Sequence, residues 1–136
     1  MNSSQLQDFA RRYTVAWCSQ DPAQVANFFS PTGSLQVNAA PPAIGRTAIT
    51  AVARGFMTAF PDLHLTMNKL LIEHTRAIYY WTFAGTNSAP GGTGHRVLFS
   101  GHEVWHFSPD GLIAESQGHF DESLYNHQLQ HGLDAP

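Results

Sequence analysis

The segment VLFSGHEVWHF, residues 97–107, is the most informative part of the sequence, because it alternates like a β-strand and carries one carboxylate among aromatic residues. Side chains two positions apart point to the same face of a strand. Glu103 therefore shares a face with Val97, Phe99, Trp105 and Phe107. A carboxylate on a mostly apolar face is costly unless it is paired or has a function. Glu103 is therefore the first candidate for a functional residue.

Three further segments alternate in the same way, at residues 63–72, 77–86 and 112–121. The sequence Ser-Pro-Asp-Gly at 108–111 is a strong turn signal, so the last two strands form a hairpin. After Met67 the alternation slips, because Lys69 falls on the apolar side and Leu70 on the other. This slip predicts a β-bulge. The four segments together predict an antiparallel meander.

Helical spacing of apolar residues precedes the meander, in segments at about 3–19, 22–29 and 47–60. Ser3 or Ser4 is expected to cap the first helix, Asp21 the second and Thr47 the third. Residues 35–37 form a short strand candidate, and residues 122–133 a terminal helix or tail. Helices followed by a meander predict one α+β domain over residues 1–136, with 122–136 as a tail or short helix. A sheet curved over helices tends to leave a hollow where a ligand would bind.

Composition excludes several classes of function. The seven basic residues are scattered and the net charge is -3, so nucleic-acid binding is not expected. No apolar run is long enough to span a membrane, and the N-terminus does not read as a signal peptide. The single cysteine, Cys18, excludes an intramolecular disulfide and suits a reducing compartment. A cytoplasmic location is the default expectation.

Six short segments, in their order and spacing, resemble the SnoaL-like polyketide cyclase group of the NTF2-like superfamily. They are Ala16-Trp17 with Asp21, and residues 45–49 (GRTAI), 60–63 (FPDL), 81–86 (WTFAGT), 99–101 (FSG) and 110–115 (DGLIAE). The resemblance implies a cone-shaped, curved antiparallel sheet packed on three N-terminal helices. It also implies a pocket between helices and sheet, and a homodimer formed through the outer sheet face.

The resemblance also identifies a departure from the cyclases. In those enzymes an Asp late in the last strand acts as general acid/base, within a His-Trp-Asp-like run. The matching run here is Ser116-Gln117-Gly118, so Gly118 stands at the position of the acid. Any chemistry must use another acid, which argues against aromatic polyketide ring closure. The fold itself does not decide the matter, because it hosts isomerases, cyclases, dehydratases, epoxide hydrolases and proteins without chemistry.

Glu103 is the leading candidate for that acid, because burial among aromatic residues raises a carboxyl pKa toward the range of a general acid/base. The alternative is that the other face of its strand points inward and leaves Glu103 exposed. His119 and Asp121 share a face of the last strand, which the hairpin brings beside Glu103. They are predicted as catalytic partners, with a solvated or dimer-facing polar edge as the alternative.

Eight aromatic residues are expected to line the space between helices and sheet: Tyr13, Trp17, Phe56, Phe60, Trp81, Phe83, Phe99 and Trp105. No metal site is predicted, because His102 and His106 would lie about 13 Å apart on a strand. His127 and His131 lack a third ligand. The function predicted is cofactor-free acid/base chemistry on a small hydrophobic or cyclic molecule. The rivals are a non-catalytic ligand-binding or dimerisation module and a protein–protein adaptor.

Overall fold

Three helices precede most of the sheet and a fourth follows it. The computed structural model describes residues 1–133. Its helices are α1 (Ser3–Cys18), α2 (Pro22–Ala26), α3 (Arg46–Ala59) and α4 (Glu122–His131). The predicted tail or short helix at residues 122–136 contains α4, and its last three residues, 134–136, lie outside the described residues.

Two of the predicted helix starts are corrected by the caps. The α1 cap is Asn2 rather than Ser3 or Ser4, because the Asn2 side chain and the Gln5 backbone and side chain form a reciprocal capping box. The α3 cap is Gly45 rather than Thr47. The prediction for α2 is confirmed: Asp21 caps it and Pro22 occupies its first turn.

Six strands form one sheet in the order β2-β1-β6-β5-β4-β3. They are β1 (Phe29–Val37), β2 (Ala43–Ile44), β3 (His64–Ile72), β4 (Ala77–Thr86), β5 (Arg96–Phe107) and β6 (Ile113–Phe120). The α+β class and the meander from β3 to β6 are confirmed. The predicted antiparallel pairing holds for every strand pair of the described residues except β1 with β6, which is parallel, so the sheet is mixed.

The predicted bulge is present, since the register of β3 on β4 shifts between Met67 and Lys69. Helix α4 contacts the part of β5 that extends beyond β6. There the Gln128 side-chain amide bonds both the N–H and the carbonyl of Leu98, beyond the point where β6 pairs with β5. The inner sheet face and the apolar helix faces enclose the core. Among residues 1–133, no helix is long and apolar enough to cross a membrane.

Candidate functional site

The pairing of β5 with β6 determines which side chains meet inside the fold. Glu103 lies opposite Gly118, and Trp105 lies opposite Ser116. All four residues are on the inner face, where Ser116 and Trp105 are fully buried. Helix α1 crosses this face and places the buried Tyr13 against them. The site is therefore built from β5, β6 and α1.

The two carboxylate oxygens of Glu103 have different surroundings. Oε1 accepts hydrogen bonds from the Tyr13 hydroxyl at 2.9 Å, the Trp105 indole N–H at 3.1 Å and the Ser116 hydroxyl at 2.7 Å. Oε2 accepts no hydrogen bond from any residue between 1 and 133, yet it is not among the fully enclosed polar atoms without a partner. Glu103 is 7% exposed and lines a cavity. We conclude that Oε2 faces this cavity.

The cavity has a volume of about 60 Å³ and is almost entirely apolar. A single water molecule requires roughly 10–15 Å³ measured in this way, so there is room for a few atoms of a ligand. Five of the aromatic residues predicted to line it do so: Trp17, Phe56, Trp81, Phe83 and Phe99. The remaining lining residues were not predicted: Leu35, Gln36, Val37, Val52, Leu65, Gly118 and Phe120.

Glycine at position 101 leaves the space in which the Trp81 indole packs against β5 and lines the cavity. A Cβ atom on Gly101 would lie 2.6 Å from Cζ2 of Trp81 and 2.4 Å from the His119 carbonyl oxygen. Neither distance is sterically allowed, so the close approach of the indole to β5 requires glycine. The glycine thus fixes one wall of the cavity.

Three of the eight predicted lining residues lie in the core instead. Tyr13, Phe60 and Trp105 are fully buried, and none of them lines the cavity. Tyr13 packs edge to face against Trp105, while Tyr79 stacks on the same indole. The polar atoms of Tyr13 and Trp105 are directed at Glu103. These two residues therefore hold the carboxyl group and do not contact the cavity.

Burial dominates the electrostatics of the site. It raises the pKa of Glu103, and the hydrogen bonds from Ser116, Trp105 and Tyr13 oppose that rise without cancelling it. The pKa of Tyr13 is raised well above its ordinary value by burial and by the Glu103 charge. Burial also raises the pKa of Tyr79. Glu103 is therefore the group of this cluster whose charge changes most readily.

The expected partnership of Glu103 with His119 is corrected. His119 lies opposite His102 on the outer face of the sheet, is exposed, and stacks near it with ring centroids 4.9 Å apart. Partial burial lowers the pKa of His102, and the charge of His119 acts in the same direction. The sheet thus separates His119 from the cavity.

The expected role of Asp121 beside Glu103 is also corrected. Asp121 follows the end of β6, is exposed, and caps α4 by accepting a hydrogen bond from the Leu124 N–H. A side chain that satisfies a helix N-terminus in this way has a structural role. No cluster of three or more possible metal ligands occurs within residues 1–133.

The irregularity at the hairpin explains why Ser116 escapes prediction and His119 is misplaced. Phe107 pairs with Ile113, but His106 pairs with Glu115, so β6 contains one extra residue beside the turn. Without this residue, Glu103 would lie opposite Gln117 and share a face with His119. One inserted residue reverses the faces of a strand. Ser116 and Gly118 therefore face inward, and no turn signal in the sequence marks the insertion.

These features define a class of protein: a curved sheet on helices, with one buried carboxyl facing an apolar cavity between the two layers. The family model of the SnoaL-like polyketide cyclases matches residues 7–129. The chain belongs to this family, and its fold is that of the NTF2-like and ketosteroid isomerase-like proteins. A comparison with curated proteins finds no match.

Similar solved structures share the fold at low sequence identity. TsrD from Streptomyces laurentii is 22% identical, with a TM-score of 0.80 over 95% of this chain and 97% of that one. SalBIII, described as an epoxide hydrolase/cyclase-like enzyme in pyran ring formation in the polyether salinomycin, is 16% identical, with a TM-score of 0.76 over 90% and 96%. A hypothetical protein from Catenulispora acidiphila, in complex with trimethylamine, is 15% identical, with a TM-score of 0.76 over 85% and 86%.

Proposed function

We propose that this protein is a cofactor-independent acid/base enzyme that acts on a small hydrophobic molecule, with Glu103 as the group that transfers the proton. One observation carries the proposal. Three protein donors hold Oε1 of a buried carboxyl group, while Oε2 faces an otherwise apolar cavity. An acid with a raised pKa in an apolar cavity is suited to general acid/base catalysis.

The arrangement supports a proton donor in particular. When Glu103 gives its proton to a substrate oxygen, it becomes a buried carboxylate. Tyr13, Trp105 and Ser116 then stabilise the new charge through the hydrogen bonds that they already make. The same carboxylate can take a proton back at the end of the reaction. Isomerisation, dehydration, cyclisation and hydrolysis all use such a step.

The position of Gly118 supports the same role. Gly118 stands where the resemblance places the acid of the cyclases, and it lies directly opposite Glu103. A Cβ atom on Gly118 would come within 3.8 Å of Cγ of Glu103. A carboxyl group from either strand would therefore reach the same part of the cavity. The description of SalBIII as an epoxide hydrolase/cyclase-like enzyme is compatible with acid/base chemistry on this fold.

A non-catalytic binding module is the second candidate. It is favoured by the cavity lining, in which Glu103 is the only titratable side chain among the described residues. The complex of the Catenulispora protein with trimethylamine is compatible with binding of a small molecule. The two candidates differ in whether the protein turns over a substrate, and the first also requires that this turnover depend on the Glu103 carboxyl group.

Turnover of a substrate panel tests the proposal. Apolar epoxides, β-hydroxyketones and β,γ-unsaturated ketones would be incubated with the protein, and products measured by gas chromatography and mass spectrometry. Glu103→Gln should abolish turnover because an amide does not transfer a proton. Glu115→Gln is the matched control, since Glu115 is exposed on the outer face. Equal turnover by Glu103→Gln and the wild type would refute the role of Glu103.

A further inference from the structure

The outer face of the sheet carries a row of four stacked side chains that the proposed function does not use. Cross-strand pairing aligns Lys69 on β3, Tyr80 on β4, His102 on β5 and His119 on β6. The Lys69 ammonium lies 4.6 Å from the centre of the Tyr80 ring, and the ring centres of Tyr80 and His102 are 5.6 Å apart. His102 is half-buried, because its ring lies between Tyr80 and His119. The row therefore ends in two imidazoles side by side.

Both imidazoles have ring nitrogens that can accept a ligand. No hydrogen bond joins either ring to another residue between 1 and 133, and the three ion pairs in this part of the chain lie elsewhere. The neighbouring row differs, because Asn68, Thr82 and Ser100 form hydrogen bonds with one another. Neutral imidazole is the commonest metal ligand in proteins. The histidine pair is therefore a candidate metal site.

The separation of the two rings fits one shared metal ion. Zinc binds an imidazole nitrogen at about 2 Å, so two imidazoles on one tetrahedral ion have ring centres about 5 Å apart. The ring centres of His102 and His119 are 4.9 Å apart, with an angle of 31° between the ring planes. Rotation about the soft outer torsion of each side chain turns the nitrogens toward a common point without moving the backbone. The long distance between His102 and His106 applies along one strand and not across a strand pair.

We propose that His102 and His119 bind a divalent transition-metal ion, such as zinc, and that the same pair on a second copy of this chain completes its coordination. Imidazole ligands suit zinc, copper and nickel. One chain supplies two of the four ligands of a tetrahedral ion, since no third metal-binding side chain joins the pair within residues 1–133. A two-fold axis through the ion brings an identical pair from the facing molecule. The inference is independent of Glu103, which lies on the inner face of the sheet.

The surface around the pair favours a second copy as the source of the remaining ligands. Helices α1 and α3 pack on the opposite face of the sheet, where they meet Glu103 and the cavity. The next row of the outer face toward the hairpin is apolar and consists of Leu71, Ile78 and Val104. Leu71 is 41% exposed, and the other two are half-buried. Apolar surface beside the pair is area that a facing sheet can bury.

A second histidine pair in the chain provides the matched control. His127 and His131 lie one turn apart on α4, with ring centres 4.7 Å apart. Both are exposed, and His131 is the last residue of its helix, whereas His102 and His119 lie within paired strands. Ligands that are already held lose less side-chain entropy when they bind an ion. The sheet pair is therefore the stronger of the two candidates.

Zinc titration of the protein without a purification tag tests the site. Calorimetry should give one zinc ion per two chains, and sedimentation should show a tighter dimer in zinc than in EDTA. With free zinc at about ten times its dissociation constant, the apparent dimer affinity should rise about tenfold, because the ion binds only the dimer. Absence of zinc binding would overturn the site. One ion per chain without a change in sedimentation would overturn its completion by a second copy.

Variants assign the ion to the sheet. His119→Gln removes one ligand of each pair, so it should abolish zinc binding and the effect of zinc on sedimentation, and His102→Gln should do the same. His131→Gln disrupts the helical pair and should leave both measurements unchanged. His119 and His131 are exposed, so circular dichroism should show an unchanged fold for their variants. Zinc binding that survives His119→Gln and His102→Gln, or that is lost in His131→Gln, would overturn the assignment.

Discussion

Replacing Glu103 by glutamine should stabilise the protein at neutral and alkaline pH. Burial raises the pKa of Glu103 in the folded state above its value in the unfolded chain. The folded protein then binds more protons than the unfolded chain between these two pKa values. The stabilisation is therefore complete below the unfolded pKa and is lost as pH rises through the folded pKa. Glutamine keeps the shape and has no charge to bury.

The magnitude follows from the linkage between proton binding and folding. Between the two pKa values, the free energy of unfolding of the wild type should fall by about 1.4 kcal/mol per pH unit relative to Glu103→Gln. For a chain of 136 residues this corresponds to about 5 °C in Tm per pH unit. Above the folded pKa the difference becomes constant.

Urea unfolding, followed by tryptophan fluorescence at a series of pH values from about 4 to about 9, measures the difference in free energy of unfolding between the wild type and Glu103→Gln. The exposed Glu115→Gln serves as the control and should parallel the wild type. A difference between wild type and Glu103→Gln that is independent of pH would show that folding does not raise the pKa of Glu103. A difference that favours the wild type increasingly with rising pH would show that folding lowers this pKa, because the carboxylate would then be the better buried form.

Three further predictions concern other parts of the molecule. Asp121→Ala should lower the free energy of unfolding by about 1 kcal/mol, because the α4 cap is lost. Neither Asp121→Ala nor His119→Ala should change turnover. Loss of turnover in either variant would show that the substituted residue takes part in the reaction. Val52→Phe should fill part of the cavity and lower turnover of the substrate panel, measured by gas chromatography and mass spectrometry. Unchanged turnover would place the substrate outside this cavity. The protein should sediment as a dimer through the outer sheet face, and a monomer at micromolar concentration would contradict this.

Local chemistry made much of the fold predictable. Strand β4 runs over the predicted residues 77–86, because its alternation of buried and half-buried side chains is unbroken. The second helix begins at Pro22 as predicted. The length of β1 is not predictable from local pattern: the sequence predicts a helix end and turn at residues 29–33, but these residues extend the strand that pairs with β6. This pairing is non-local and leaves no periodic signal.

The candidate site was predictable in its central residue and not in its partners. Glu103 stands out because it is a carboxylate on an apolar face, and the structure places it on the cavity wall. The donors Tyr13, Trp105 and Ser116 depend on how α1 crosses the sheet and on the extra residue in β6. Neither the crossing of α1 over the sheet nor the extra residue in β6 can be derived from the spacing of residues in the sequence. One residue of register decides between Ser116 and His119 as the neighbour of the acid.

The pKa of Glu103 in the folded protein is the most direct test of the central claim. Carboxyl carbon resonances of labelled glutamate would be followed against pH, with Glu103→Gln to assign the signal and the Trp105 indole N–H as a second reporter. We expect a midpoint clearly above the ordinary glutamate value, with both reporters moving together. A midpoint at or below the ordinary value would show a carboxylate that stays charged, and would contradict Glu103 as the acid of this cavity.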